Sequence, residues 1–235
     1  MPDAAAHSPA HPFGVAPAPT RRAQAALWAE VAALYGAVPL ALAFLLPPSA
    51  MWPAMALALA VSALMLHRTP GFSWRAQIKR PRPRDLAFAA GFAAILFAAA
   101  LALTAAIKPA ALLSLPRHAP GLWLMILALY PLVSALPQEV MFRTLFFTRY
   151  RALFRSDRAA MAFNAAAFSL AHLFLWNWVA LALTAAGGVA FSAAYRAAGP
   201  GRGLMTATLL HALAGMALFT SGLGTFFYHG AVGAP

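Results

Sequence analysis

Three ionisable side chains stand deep inside apolar stretches of this chain: Glu139, His172 and His211. These are the residue types that take up and return protons, and together they could activate a water for hydrolysis. The same set, two His and one Glu, is also the ligand set of a catalytic zinc site, although the more specific HExxH pattern is absent. A third chemistry is open as well: His172 and His211 could be the two axial ligands of a haem in a membrane electron carrier.

Their depths agree. Arg149, Arg158 and Arg202 mark the polar ends of three apolar stretches, and Glu139, His172 and His211 lie ten, fourteen and nine residues in from them. At a rise of about 1.5 Å per residue these are roughly 15, 21 and 14 Å, near the middle of a hydrocarbon layer about 30 Å thick. Ionisable groups at that depth are expensive and mark functional sites. Glu139 and Arg143 are four residues apart, with the Glu on the N-terminal side, the favoured order for a helical ion pair. Pro131 and Pro137 each remove a backbone donor and free a carbonyl one turn back, so the helix carrying Glu139 is expected to bend there. Asn164, Phe168 and His172 recur every fourth residue and share a helix face.

The elements that hold these residues are read from composition. The chain of 235 residues is 63% apolar and 9% charged, against about a quarter charged in soluble domains. Seven apolar stretches, 27–46, 51–66, 86–107, 121–136 (running on through 147), 159–176, 178–195 and 203–220, predict an all-α bundle of about seven transmembrane spans. In lipid the backbone must bond within each segment, which makes these stretches helices. The expected organisation is a disordered tail over 1–26, a helical membrane domain over 27–225 with its chemical core at 121–220, and a short tail over 226–235. The pair Gly187-Gly188 is expected to permit close helix packing.

The net charge of +12 is a membrane signature rather than a nucleic-acid one. Fifteen of the 17 Lys and Arg residues fall before the first span or on alternate connections, leaving only Lys108 and Arg117 on the other side. Positive residues stay inside, which predicts a multi-pass protein of a bacterial-type inner membrane, N-terminus cytoplasmic and C-terminus outside. Trp52, Trp123, Trp176 and Trp178 fall at the outer ends, as an aromatic belt would. With no cysteine in the chain, neither a disulfide framework nor a thiolate metal site is available and the redox compartment cannot be read.

Three motifs add a resemblance. Gln138-Glu139-Val140-Met141-Phe142-Arg143, then Phe168-Ser169-Leu170-Ala171-His172, then His211-Ala212-Leu213-Ala214-Gly215 resemble the EExxxR, FxxxH and HxxxN/D motifs of the CPBP (Abi) intramembrane proteases, the family of CAAX-processing and bacteriocin-processing enzymes. The resemblance covers roughly 121–220. It implies catalytic roles for Glu139 and His172, which would activate a water, and for His211, which would stabilise the developing oxyanion, with supporting roles for Arg143, Gln138 and Asn164. Glu139 matches the family's second Glu, which pairs with the Arg, and would have to serve as base itself. It implies a membrane-anchored peptide or protein as substrate, lipid as the surrounding partner, no nucleic acid, and no certain cofactor, zinc being possible with Glu139, His172 and His211 as ligands. Two positions depart from the pattern: Gln138 stands where the family has the first Glu of its pair, and Gly215 where it has Asn or Asp. The expected geometry is Glu139 turned inward to both histidines, with Arg143 beside it. The rival to an enzyme within the same fold is a non-catalytic binding or immunity protein.

Overall fold

The computed structural model describes residues 20–227, all of whose regular elements are helical. Seven helices are long and apolar enough to cross a membrane: α1 (Arg21–Phe44), α2 (Pro48–His67), α3 (Pro83–Ile107), α4 (Pro120–Leu153), α5 (Asp157–Leu175), α6 (Trp178–Ala198) and α7 (Gly203–Ser221). The protein is a multi-pass membrane protein with the all-α architecture its composition predicts.

Several boundaries move outward from the hydropathy reading, because caps and polar first turns extend a helix past its apolar stretch. α1 begins six residues early. Thr20 accepts a bond from the Ala23 amide at 3.3 Å, and Arg, Ala and Gln are good helix formers. Residues 21–26 are therefore helical, which corrects the expected tail; the rest of that tail, residues 1–19, lies outside the described residues. α5 begins at Asp157 because the Ser156 hydroxyl accepts from the Ala159 amide, whereas α6 begins at the expected Trp178, capped by Asn177, which accepts from Ala180. At the other end a 3₁₀ turn over Leu223–Phe226 continues the helical domain. The Asn177 amide donates to the Phe226 carbonyl at 2.8 Å and holds that turn down. Residues 228–235 of the expected C-terminal tail lie outside the described residues.

α7 is the most buried span and packs against α3 and α6, while α6 also packs along α5. One contact sets the α5–α6 distance. A Cβ at Gly188 would come within 2.8 Å of the Ala165 Cα, so only a glycine allows this backbone approach. Its neighbour Gly187 instead faces the Phe191 ring.

α4 carries the chemistry and is irregular. Winding widens to the π type over Pro131–Ala135, returns to α over Leu136–Glu139, and widens again over Val140–Tyr150. The bend expected at the two prolines is expressed as this change of winding, a form of helix often found at functional sites. Two carbonyls in the wide stretch take donors from other helices. The Tyr35 hydroxyl donates to Met141 O at 2.8 Å, and the Asn164 amide donates to Phe142 O at 2.6 Å. Asn164 in turn accepts from the Ser192 hydroxyl at 2.8 Å, so α4, α5 and α6 are tied through one buried side chain.

The polar ends of the helices are clamped by ion pairs. Glu30 of α1 accepts two bonds from Arg149 of α4 at 2.6 Å, and one from the Tyr150 hydroxyl. Asp157 pairs with both Arg151 and Arg196. At the opposite ends, the Trp52, Trp176 and Trp178 rings are exposed, as a belt at a lipid–water boundary requires.

Replacing the cross-helix donor tests this account. Asn164→Ala leaves Phe142 O and the Ser192 hydroxyl without their partner, and is expected to cost about 1–3 kcal/mol. Thermal unfolding in detergent measures it, and an unchanged transition would show that the Phe142 carbonyl needs no side-chain donor.

Candidate active site

The site begins with one carboxylate shared by two helices. Glu139 of α4 is fully buried. Its Oε1 lies 2.8 Å from Nδ1 of His211 on α7, and its Oε2 lies 3.2 Å from Nε of Arg143, one turn further along α4. Arg143 is equally buried. Its guanidinium sits over the rings of Phe168 (4.4 Å) and Phe191 (5.5 Å), and one terminal nitrogen reaches Gly188 O at 3.4 Å. The expected Glu–Arg pair thus exists, and His211 belongs to it.

His172 stands where regular α5 ends. Its Nδ1 lies 2.8 Å from the Phe168 carbonyl one turn back. Phe168 connects the two imidazoles, with ring centroids 4.8 Å from His172 and 5.5 Å from His211. Phe191 stacks on the other histidine, His211, at 4.7 Å and 13°.

The partners fix the tautomers. A carbonyl and a carboxylate only accept, so both imidazoles carry their proton on Nδ1 when neutral. In each ring Nε2 is left as the basic nitrogen.

Both histidines lie on the wall of a cavity of about 880 Å³ lined by residues of all seven helices. That wall is mostly aliphatic and aromatic. Gln138, Ser134 and Tyr130 of α4 are also on it, whereas Glu139, Arg143 and Asn164 are not. This changes the expected geometry. Positions 138 and 139 differ by about 100° around a helix, and it is Gln138 that faces the cavity, its amide donating to the Ser134 hydroxyl at 2.9 Å. Glu139 sits behind His211. Asn164 has its amide committed to the Phe142 carbonyl and braces the helices; it does not reach the cavity.

Zinc was expected to need Glu139, His172 and His211 as one set. Among the described residues no three His, Asp, Glu or Cys side chains are arranged to hold a metal ion. Both Glu139 oxygens are engaged, by His211 Nδ1 and by Arg143, so this donor set does not fit the metal.

Gly215 lies one turn after His211. A Cβ there would fall 2.1–2.7 Å from Cε1, Cζ and the hydroxyl of Tyr130. The space left by the missing side chain is therefore filled by the Tyr130 ring, which also meets His211 edge-on at 6.0 Å. Sequence reasoning missed Tyr130 and Ser134. The available signal was their spacing: with Gln138 they form a stripe at every fourth residue.

Residues 120–217 match the family model of the Rce1-like type II CAAX prenyl endopeptidases. This stretch is a CPBP-family domain. At family level this matched stretch is that of a CPBP-type intramembrane protease; it spans α4 to α7, and α4, α5 and α7 carry the three motifs. No curated protein and no solved structure matches the chain. The CPBP assignment gives the Glu139–Arg143–His211 network a place that a haem carrier would not.

The buried network predicts strong coupling. Glu139→Ala leaves Arg143 charged and unpaired in a dry interior, which is expected to destabilise the protein by about 3–5 kcal/mol. Glu139→Ala combined with Arg143→Met should lose much less than the sum of the single changes. Unfolding in detergent across this double-mutant cycle gives the coupling, and simple additivity would contradict it.

Proposed function

We propose that the chain is an intramembrane endopeptidase that hydrolyses a membrane-anchored peptide or protein with a histidine-activated water. The observation that carries the reading is the 2.8 Å contact from Glu139 to His211 Nδ1, with His211 and His172 both on the cavity wall.

In this mechanism His211 is the general base. Its Nε2 takes a proton from water as the water oxygen attacks the scissile carbonyl carbon. The carbonyl π pair moves onto oxygen. The tetrahedral species collapses with cleavage of the C–N bond, and the proton held by His211 passes to the departing nitrogen. Glu139 does not touch water. It orients the imidazole and stabilises the imidazolium that forms transiently, as a buried carboxylate does behind a catalytic histidine. Arg143 holds Glu139 in place. His172 holds the water from its own Nε2. Glu139, expected to act as base in place of the motif's missing first Glu, becomes a positioning residue, and His211, expected to stabilise the oxyanion, becomes the base.

The substrate arrives laterally from the bilayer and lies against an apolar wall. The matched family is that of Rce1-like type II CAAX prenyl endopeptidases; here the requirement is an apolar anchor, whether or not it is a prenyl group. The basic connections face the cytoplasm in this reading, with the C-terminus outside.

A second reading rests on Gln138. The cavity wall carries an amide and no carboxylate, which favours a CPBP-fold binding or immunity protein that holds a peptide without cutting it.

The variants separate the two. His211→Ala and His172→Ala are expected to lower kcat for a membrane-reconstituted fluorogenic peptide by about 10²–10⁴-fold, and folded Glu139→Gln should also lose most of its rate. Cleavage by both histidine variants at the wild-type rate would exclude the protease mechanism. Gln138→Glu is expected to bring no gain, because the base is on α7. A many-fold increase would show that the carboxylate belongs at position 138 and that the Glu139–His211 pair is structural.

A further inference from the structure

We infer that Tyr130 is a catalytic residue, the proton donor that binds the substrate's carbonyl oxygen as negative charge develops on it. The inference rests on the hydrolytic reading above and adds the group opposite its base.

Hydrolysis against an apolar wall needs a donor aimed at the developing oxyanion. Three other polar groups on the wall have a proton already committed. The Tyr35 hydroxyl donates to Met141 O, Thr184 donates to Ala180 O, and the Gln138 amide donates to Ser134. Both imidazoles present a basic nitrogen. Tyr130 is different in position and polarity. Its ring lies on Gly215, one turn beyond His211, and meets the His211 ring edge-on with centroids 6.0 Å apart. Phe219 packs against it at 5.7 Å. The ring is thus held on three sides, and its hydroxyl is carried at the cavity wall beside the base.

Tyr130, Ser134 and Gln138 stand one turn apart on α4, and the Gln138 amide donates to Ser134 Oγ at 2.9 Å, so a polar stripe runs along the wall from the Tyr130 hydroxyl. A phenol carries a proton to donate, and at the cavity wall that proton is available to a substrate oxygen. Packing alone does not call for the hydroxyl, since a phenylalanine would fill the same space over Gly215 and against Phe219. Gly215 is required by the arrangement, because any Cβ there would displace the ring.

Tyr130→Phe removes one oxygen and keeps the packing. With the fluorogenic peptide in vesicles, kcat is expected to fall about 10²–10³-fold, the usual effect of losing one oxyanion donor, while KM changes by less than about threefold. A phosphinic peptide of the same sequence, which carries a tetrahedral oxyanion, should bind the variant at least about tenfold more weakly. The parent peptide should bind both proteins alike. Unfolding in detergent should be unchanged. A variant with wild-type kcat and undiminished phosphinate binding would overturn the inference while leaving the protease reading intact, provided that His211→Ala is inactive in the same assay. A wild-type protein that neither cuts the peptide nor prefers the phosphinate would overturn both. Equal losses in parent-peptide and phosphinate binding would show Tyr130 to be a packing residue and would also overturn it.

Discussion

A carboxylate in a water-free interior must be paired, because an isolated ionised group there is too costly to keep. Glu139 meets that demand twice, with Arg143 on its own helix and His211 on another. The rest of the core is arranged around this pair. Arg143 needs acceptors and polarisable neighbours, and it finds Gly188 O and the faces of Phe168 and Phe191. Reaching Gly188 requires α6 to come close, which the contact of Gly188 with Ala165 permits. Holding α4 in the right winding leaves two carbonyls to satisfy, and Tyr35 and Asn164 satisfy them. A single buried charge thereby links α1, α4, α5, α6 and α7.

How much of this was legible follows from which physical quantities a sequence records. Depth is recorded well. Arg149, Arg158 and Arg202 mark where three helices leave the hydrocarbon, and counting inward placed Glu139, His172 and His211 in one layer. Span number is recorded for the same reason, since an apolar stretch must match the bilayer. Rotation about the helix axis is recorded poorly. The inward face of α4 was assigned to Glu139, yet the cavity meets Gln138, because the phase of a helix cannot be carried across two π-wound stretches by counting residues. Asn164 shows a related failure. Its spacing to Phe168 and His172 placed it on one face with them, but spacing does not show which group of another helix a side chain meets, and Asn164 meets the Phe142 carbonyl. Helix ends were misplaced where a cap outweighed hydropathy, as Thr20 does for α1.

The arrangement of Gln138 and Glu139 has its own physical logic. A carboxylate on the wall of an apolar cavity would face each incoming peptide as an unpaired charge. Desolvating it would work against substrate binding. Placing the carboxylate behind His211 keeps it off the wall, and in the proposed mechanism it acts on the reacting water only through one imidazole. Gln138 then serves as a polar but uncharged neighbour, and its amide is occupied by Ser134.

The same reasoning accounts for what stands at position 215. A side chain there would have to share a closely packed layer with His211, Phe219 and Tyr130, and the ring of Tyr130 already occupies the volume a Cβ would need. The chain places an aromatic residue from α4 where α7 offers none. The exchange changes which helix supplies the group and preserves the layer in which it acts. An aromatic ring brings its own packing surface, so its position depends on Phe219 and His211 rather than on the rotamer of a short polar chain. In the proposed mechanism, rigidity of that kind is what aims one hydroxyl.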